Sequence, residues 1–268
     1  MKCGKWGRTM VCVNDILQYM WSIAPEEKKE PWDNVGLLVG RSEGKVKNVL
    51  VALDITKAVI TEAQCLGAEL IVSHHPLIWD TYKFVTDGVL QQEKVMTLIE
   101  NRIAAICMHT NLDEAEDGVD DTLVEALGLT PEEHLAEDRI GHISILDAPV
   151  SMEEYLSEVA EKLNVNGLRY VDSGRPVFRV ATGCGSCGEY LKEAYAAGCD
   201  TFITGDVKHN VFLDAQDLGM NLIDAGHFST ENPIVRKIAK KLKKQFPELA
   251  IHISSAMTQP ERFFVTKK

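Results

Sequence analysis

Apolar positions along the chain change period several times, and the changes outline its elements. Val13, Ile16, Leu17, Met20 and Trp21 recur at three- and four-residue spacing, which predicts an amphipathic helix that a charged connector through Pro31 ends. Residues 32–40 read as a turn leading into a short apolar strand, closed by Gly40. Residues 49–53, 58–66 and 70–72 then predict strand, helix and strand, a βαβ unit. A second such unit is predicted at residues 178–182, 189–197 and 201–204. Laid over the first with a shift of 131 residues, Asp54 falls on Gly185, Gly67 on Gly198 and His74 on Gly205, and the elements stay in step without a gap. An internal duplication follows, and with it an α/β fold of two similar domains. The expected halves are residues 1–130 and 131–268, with the C-terminal segment packing back on the first half. Each half continues with a further helix and strand, residues 94–100 and 103–107 in the first, 211–217 and 221–223 in the second. Helices are then predicted at 119–127 and 233–242, with Pro233 tolerated in a first turn.

Polar residues gather where these strands end. Pro76 stops the apolar run 68–72 from continuing as an inner strand, so Ser73-His74-His75 is left at a C-terminal strand end, where open α/β sheets bind ligands. His109-Thr110-Asn111-Leu112-Asp113 and Asp224-Ala225-Gly226-His227-Phe228-Ser229-Thr230-Glu231 follow the later strands in the two halves. His227 and Glu231 are four apart at a helix entrance, a spacing that lets both reach one side. Neutral imidazole suits borderline transition metals. The three imidazoles His74, His75 and His227 with the carboxylates Asp113 and Glu231 exceed the four ligands of a closed zinc site; they suit two metals sharing a bridging carboxylate and keeping open positions for water. Taken singly, each has a plainer role: a buried hydrogen-bonded histidine, a turn or cap for Asp113, a favourable first-turn charge for Glu231. As a set at matching strand ends they favour metal. Around them, Asn34 is a site residue or a turn former, His109 a supporting partner or proton shuttle or else a core histidine, and Lys208 and His209 either reach an anionic group or are solvated. The Gly183-Cys184-Gly185-Ser186-Cys187-Gly188 turn holds a single CxxC, read as close backbone packing rather than as a redox pair or a thiolate metal site.

Composition narrows the partners. A formal net charge of -12 over 268 residues argues against a polyanion-binding surface, so no nucleic acid is expected. No apolar run approaches ~20 residues, and the basic stretch 1–8 lacks an apolar export core, so neither membrane nor export is expected. Seven scattered cysteines fit reduced thiols in the cytoplasm. No GxxxxGK[ST] phosphate loop is present.

The segments Asp33-Asn34-Val35-Gly36-Leu37, Ser73-His74-His75-Pro76, His109-Thr110-Asn111-Leu112-Asp113, Gly205-Asp206-Val207-Lys208-His209 and Gly226-His227-Phe228-Ser229-Thr230-Glu231 resemble those of the Nif-three-like family, whose bacterial members are called type 2 homologs of GTP cyclohydrolase I. The resemblance covers nearly the whole chain. It implies two similar α/β domains with a dinuclear metal site in the cleft between them, ligated by His74, His75, Asp113, His227 and Glu231, with Glu231 bridging. It also implies a toroidal homohexamer whose metal sites face an internal cavity. The interval 129–175 is too short for the extra domain that longer members carry. Two divalent ions per chain are expected, with zinc, iron, manganese, cobalt and nickel all suited to these donors. Hydrolysis of a small molecule is the natural reaction class. The alternatives are a non-catalytic metal-binding scaffold, metal chaperone or regulatory protein, and a cofactor-binding α/β protein without metal.

Overall fold

A computed structural model describes residues 10–137 and 139–264. Helix α1 (Val13–Ile23) forms where the amphipathic stripe places it, and buries Val13, Ile16, Leu17 and Met20. Strand β1 (Gly36–Val39) and strand β2 (Asn48–Ala52) follow. Helix α2 (Lys57–Leu66) starts at Thr56, whose hydroxyl accepts the N–H of Val59, and ends at Gly67 in the left-handed conformation. Strand β3 (Leu70–Ser73), helix α3 (Leu90–Glu100) and strand β4 (Ala104–Cys107) complete the first βαβ series. Next come the short turn α4 (Thr110–Asp113), helix α5 (Val119–Ala126), strand β5 (Pro131–His134) and strand β6 (His142–Val150). They are followed by helix α6 (Met152–Leu163), strand β7 (Arg169–Val171) and strand β8 (Val177–Thr182). Helix α7 (Leu191–Ala196), strand β9 (Thr201–Thr204), helix α8 (His209–Leu218) and strand β10 (Asn221–Asp224) form the second series. The chain closes with α9 (His227–Glu231), α10 (Pro233–Gln245) and β11 (Ala250–Ile253).

Residues 10–112 with 235–257 form one compact unit, and 113–234 with 258–264 the other. The first unit holds a five-stranded sheet in the order β1-β4-β3-β2-β11, with β11, β2, β3 and β4 parallel and β1 antiparallel at the edge. The second holds six strands in the order β5-β6-β8-β9-β10-β7, with β8, β9 and β10 parallel and β7 antiparallel beside β10. Both units therefore share four strands in one arrangement, three parallel and one antiparallel at the edge. They differ beyond it: β2 is flanked by parallel β11, whereas β8 is flanked by antiparallel β6.

The parallel strands β3, β4, β9 and β10 are buried at every residue, as strands covered on both faces must be. In the first unit Leu50, Ile71, Ala105, Val59, Ile60 and Leu98 pack into one core; in the second, Phe202, Leu222, Ala181, Leu191, Ala194 and Ala215 do so. Truncating a fully buried member such as Leu50 or Phe202 to Ala would cost about 2–5 kcal/mol. The helix expected over residues 189–197 is instead a 3-10 turn (Gly188–Tyr190) running into α7. The N–H of Tyr190 reaches the carbonyl of Cys187 at 3.0 Å, a three-residue closure that tightens the start. Among the described residues no helix is long and apolar enough to cross a membrane.

Candidate metal centre

In the first unit the parallel pairing of β2, β3 and β4 brings three chain segments to one edge of the sheet. The N–H groups of His74 and His75 both donate to the Leu53 carbonyl, at 3.2 and 2.9 Å, and the Met108 N–H donates to the Ser73 carbonyl at 3.0 Å. These bonds carry the ladder two residues past the strands and hold His74, His75 and His109 together. Ring centroids are 4.8 Å apart for His74 and His75, 5.2 Å for His74 and His109, and 5.5 Å for His75 and His109. One ring nitrogen from each lies within 4.8 Å of the others.

Each of these rings has its Nδ1 engaged by an acceptor. His74 Nδ1 donates to the Met108 carbonyl at 2.9 Å, His75 Nδ1 to Asp54 Oδ1 at 2.8 Å, and His109 Nδ1 to Asp33 Oδ1 at 2.9 Å. A carbonyl or a carboxylate only accepts, so the proton sits on Nδ1 and the neutral ring carries its lone pair on Nε2. Asp33 also accepts from the Thr110 N–H and hydroxyl. Burial alone would raise its pKa, but the hydrogen bonds from His109 and Thr110 outweigh it and hold the carboxyl down at about 2. Asp33 is thus a permanent anion behind His109. Exposed indoles flank that ring, Trp79 with its centroid 5.2 Å away and Trp32 6.0 Å away. Asn34 donates through Nδ2 to the Ile78 carbonyl at 2.7 Å, so it ties down the segment that carries Trp79.

In the second unit the entrance of α9 carries a histidine and a glutamate. His227 Nδ1 donates to Asp206 Oδ2 at 2.9 Å, and His227 Nε2 lies 3.0 Å from Glu231 Oε2. The four-residue spacing works because α9 is already helical at His227. Two donors bound to one ion at about 2.1 Å sit roughly 3.0–3.4 Å apart, so the His227–Glu231 separation fits a shared cation. In four histidines, His74, His75, His109 and His227, an acceptor holds Nδ1, the ring orientation common in metal-ligating imidazole. Asp113, half-buried, ends α4, with its Oδ1 3.9 Å from Cys184 Sγ.

The glycine-rich turn is explained by the same pair. Gly185 has φ +59°, and a Cβ there would stand 2.1 Å from Glu231 Oε1 and 3.3 Å from His227 Cε1. A Cβ on Gly205 would meet the His227 backbone nitrogen at 2.6 Å. The turn is fastened by the Cys184 N–H to Asp120 Oδ1 at 2.9 Å and the Gly185 N–H to Thr230 Oγ1 at 3.0 Å. Cys184 and Cys187 are free thiols; burial, with neighbouring carboxylates adding to it, pushes both well above the usual thiol range. The Cys187 thiol donates to the Cys184 carbonyl at 3.0 Å. Lys208 caps α8 and His209 begins it, both exposed past the end of β9.

Sequence reasoning missed the carboxylates that orient the rings: Asp33, Asp54 and Asp206. A signal existed for the last two. Asp54 precedes His75, and Asp206 precedes His227, by 21 residues each, with both acids just past the end of a strand.

A family model described as Duf34/NIF3 (NGG1p interacting factor 3) matches residues 11–260. A Clostridium perfringens protein named GTP cyclohydrolase 1 type 2 homolog is 36% identical over 242 residues, which cover 87% of this chain and 92% of that protein. Its namesake from Clostridium acetobutylicum is 32% identical over 255 residues, with 92% and 95% covered. Among solved structures, a Bacillus cereus protein related to NIF3 superposes with a TM-score of 0.90, covering 96% of this chain and all of that one; at 23% identity it speaks to the fold. A Staphylococcus aureus hypothetical protein gives a TM-score of 0.85 at 27% identity, with 96% and 100% covered.

Proposed function

The chain belongs to the Duf34/NIF3 family, and on that premise we propose that it is a metal-dependent hydrolase using two divalent ions per chain. His74, His75, Asp113, His227 and Glu231 would hold the ions, with Glu231 bridging. The observation that carries this reading is the common orientation of four imidazoles, each with Nδ1 on an acceptor. Bound divalent ions would supply Lewis acidity, polarising a substrate oxygen and making water a stronger acid near neutral pH.

The chain's own residues do the rest. The Met108 carbonyl and Asp54 fix the rings of His74 and His75, and Asp206 fixes that of His227, so little reorganisation is needed to receive a cation. His109, held by anionic Asp33, takes the proton of the attacking water through Nε2 and returns it to the leaving group. Trp32 and Trp79 shield His109 from bulk water on their side. Asn34 keeps the Trp79 segment in place, and Lys208 and His209 meet an anionic part of the substrate. The name borne by the curated relatives makes hydrolytic opening of a purine nucleotide ring the first reaction to screen. Zinc, iron, manganese, cobalt and nickel all suit the donors. The setting is a cytoplasmic homohexamer, and sedimentation of the native protein as a monomer would remove the hexamer from the proposal.

The test is elemental analysis per chain for native protein and His227→Ala, followed by turnover of native protein against His74→Ala. About two equivalents in the native protein, clearly fewer in His227→Ala, and turnover lost in a folded His74→Ala support the hydrolase. Full metal content without turnover on any nucleotide screened replaces it with a metal-holding scaffold. Native protein that stays empty after reloading removes the metal altogether.

A further inference from the structure

The first unit carries a second concave site, at the other end of the same sheet. A cavity of about 730 Å³ is lined by Gly40, Arg41, Lys45, Glu69, Arg102 and Ala104, with Val13, Ile99 and Ile103 forming an apolar wall. Glu69 and Arg102 precede β3 and β4, and Gly40 follows β1, which runs antiparallel to β4 with Val39 opposite Ala105. His74 and His109 follow the opposite ends of β3 and β4. Four residues at about 3.3 Å each separate the two ends by roughly 10 Å or more, so this cavity is distinct from the metal centre.

Its charge is unusual for this protein. Among the described residues the side chains of Arg41, Lys45 and Arg102 make no ion pair or hydrogen bond, although the chain as a whole has a net charge of -12. The one carboxylate in the lining, Glu69, already accepts the backbone N–H groups of Lys47 and Asn48 at 3.0 and 2.9 Å. Three cations against one carboxylate leave a net of two positive charges, which matches the charge of about -1.5 to -2 on a phosphate monoester. Arg102 sits just past the α3 C-terminus with φ +57°, a position where glycine or asparagine is the cheaper choice, at a backbone cost of about 1 kcal/mol. An arginine at such a position, its side chain making no ion pair or hydrogen bond among the described residues, is explained if that side chain serves a ligand. The volume exceeds what a bare phosphate fills and falls within the range of small-molecule sites, and the apolar wall offers contact for an organic group.

We propose that this cavity binds a phosphorylated small molecule, with Arg41, Lys45 and Arg102 on the phosphoryl group and Val13, Ile99 and Ile103 against its organic part. The test is isothermal titration of the full-length protein as purified with phenyl phosphate and with inorganic phosphate, repeated on the Arg41→Gln/Arg102→Gln double variant and on His74→Ala. Both arginines are exposed and unpaired, so the double variant should keep the native melting temperature, which a thermal scan verifies. Phenyl phosphate is expected to saturate one site per chain and to bind more tightly than inorganic phosphate. Affinity should fall at least tenfold in the double variant, about 1.4 kcal/mol, and hold in His74→Ala. Absence of saturation in native protein, or unchanged affinity in the double variant, overturns the proposal. Loss in His74→Ala with retention in the arginine variant also overturns it, by moving the probe to the metal centre. Equal affinity for the two probes overturns the assignment of the apolar wall.

Discussion

Gly185→Ala separates backbone strain from damage to the Glu231 carboxylate, because the same unit supplies a control. Gly185 and Gly219 have nearly the same left-handed backbone, φ +59° and +62°. A Cβ on Gly219 meets nothing within 4 Å, whereas on Gly185 it stands 2.1 Å from Glu231 Oε1. Gly219→Ala should therefore cost only the left-handed penalty, about 1 kcal/mol. Gly185→Ala should cost that and more. Carbon and oxygen rest at about 3.3 Å, so the carboxylate must retreat by over about 1 Å from a buried position against His227, at a further cost of about 2 kcal/mol. At roughly 2–4 °C per kcal/mol for a unit of this size, thermal scans should show Gly219→Ala melting about 2–4 °C below native and Gly185→Ala about 6–12 °C below. Metal content, measured on the same samples, should be native in Gly219→Ala and reduced in Gly185→Ala. Equal melting shifts with equal metal content would refute the claim that Gly185 is small for the sake of Glu231.

Asp33→Asn should flatten the acid limb of stability. The native carboxyl titrates at about 2 against an ordinary 3.8, so its contribution of about 2 kcal/mol is fully present above about pH 4 and lost as pH falls towards 2. Urea unfolding between those limits should be steeper in native protein than in the variant, and parallel slopes would count against the Asp33–His109 bond. If Glu231 bridges two ions as proposed, Glu231→Gln should lower occupancy at both positions; elemental analysis showing loss of one ion or of neither removes the bridging role. Cysteine alkylation read by mass spectrometry should modify exposed Cys65 quickly, half-buried Cys187 more slowly because its thiol pKa is raised, and buried Cys184 only when the protein unfolds. Rapid native-state labelling of Cys184 would contradict its burial.

The strands, most helices and the polar strand ends were legible because each is written in a local period: apolar runs for β3 and β9, three- and four-residue spacing for α1, and left-handed glycines closing α2 and α8. The groups behind the histidines were not legible in the same way. Asp54 approaches His75 only because β2 and β3 lie side by side in parallel, and Asp33 approaches His109 across 76 residues of chain. No local pattern encodes such a neighbour. The duplication supplies what period could not. Under the 131-residue shift His75 corresponds to Asp206 and Asp54 to Gly185, so the two units place opposite chemistry at equivalent strand ends. In the first unit the end of β2 gives the acid and the end of β3 the imidazole it orients. In the second, the end of β9 gives the acid, and the imidazole comes from the end of β10. The end of β8 carries, at the position equivalent to Asp54, the glycine that makes room for Glu231. Making either position match its counterpart would therefore remove a role: Asp206→His would leave His227 without its acceptor, and Gly185→Asp would set a second carboxylate against Glu231.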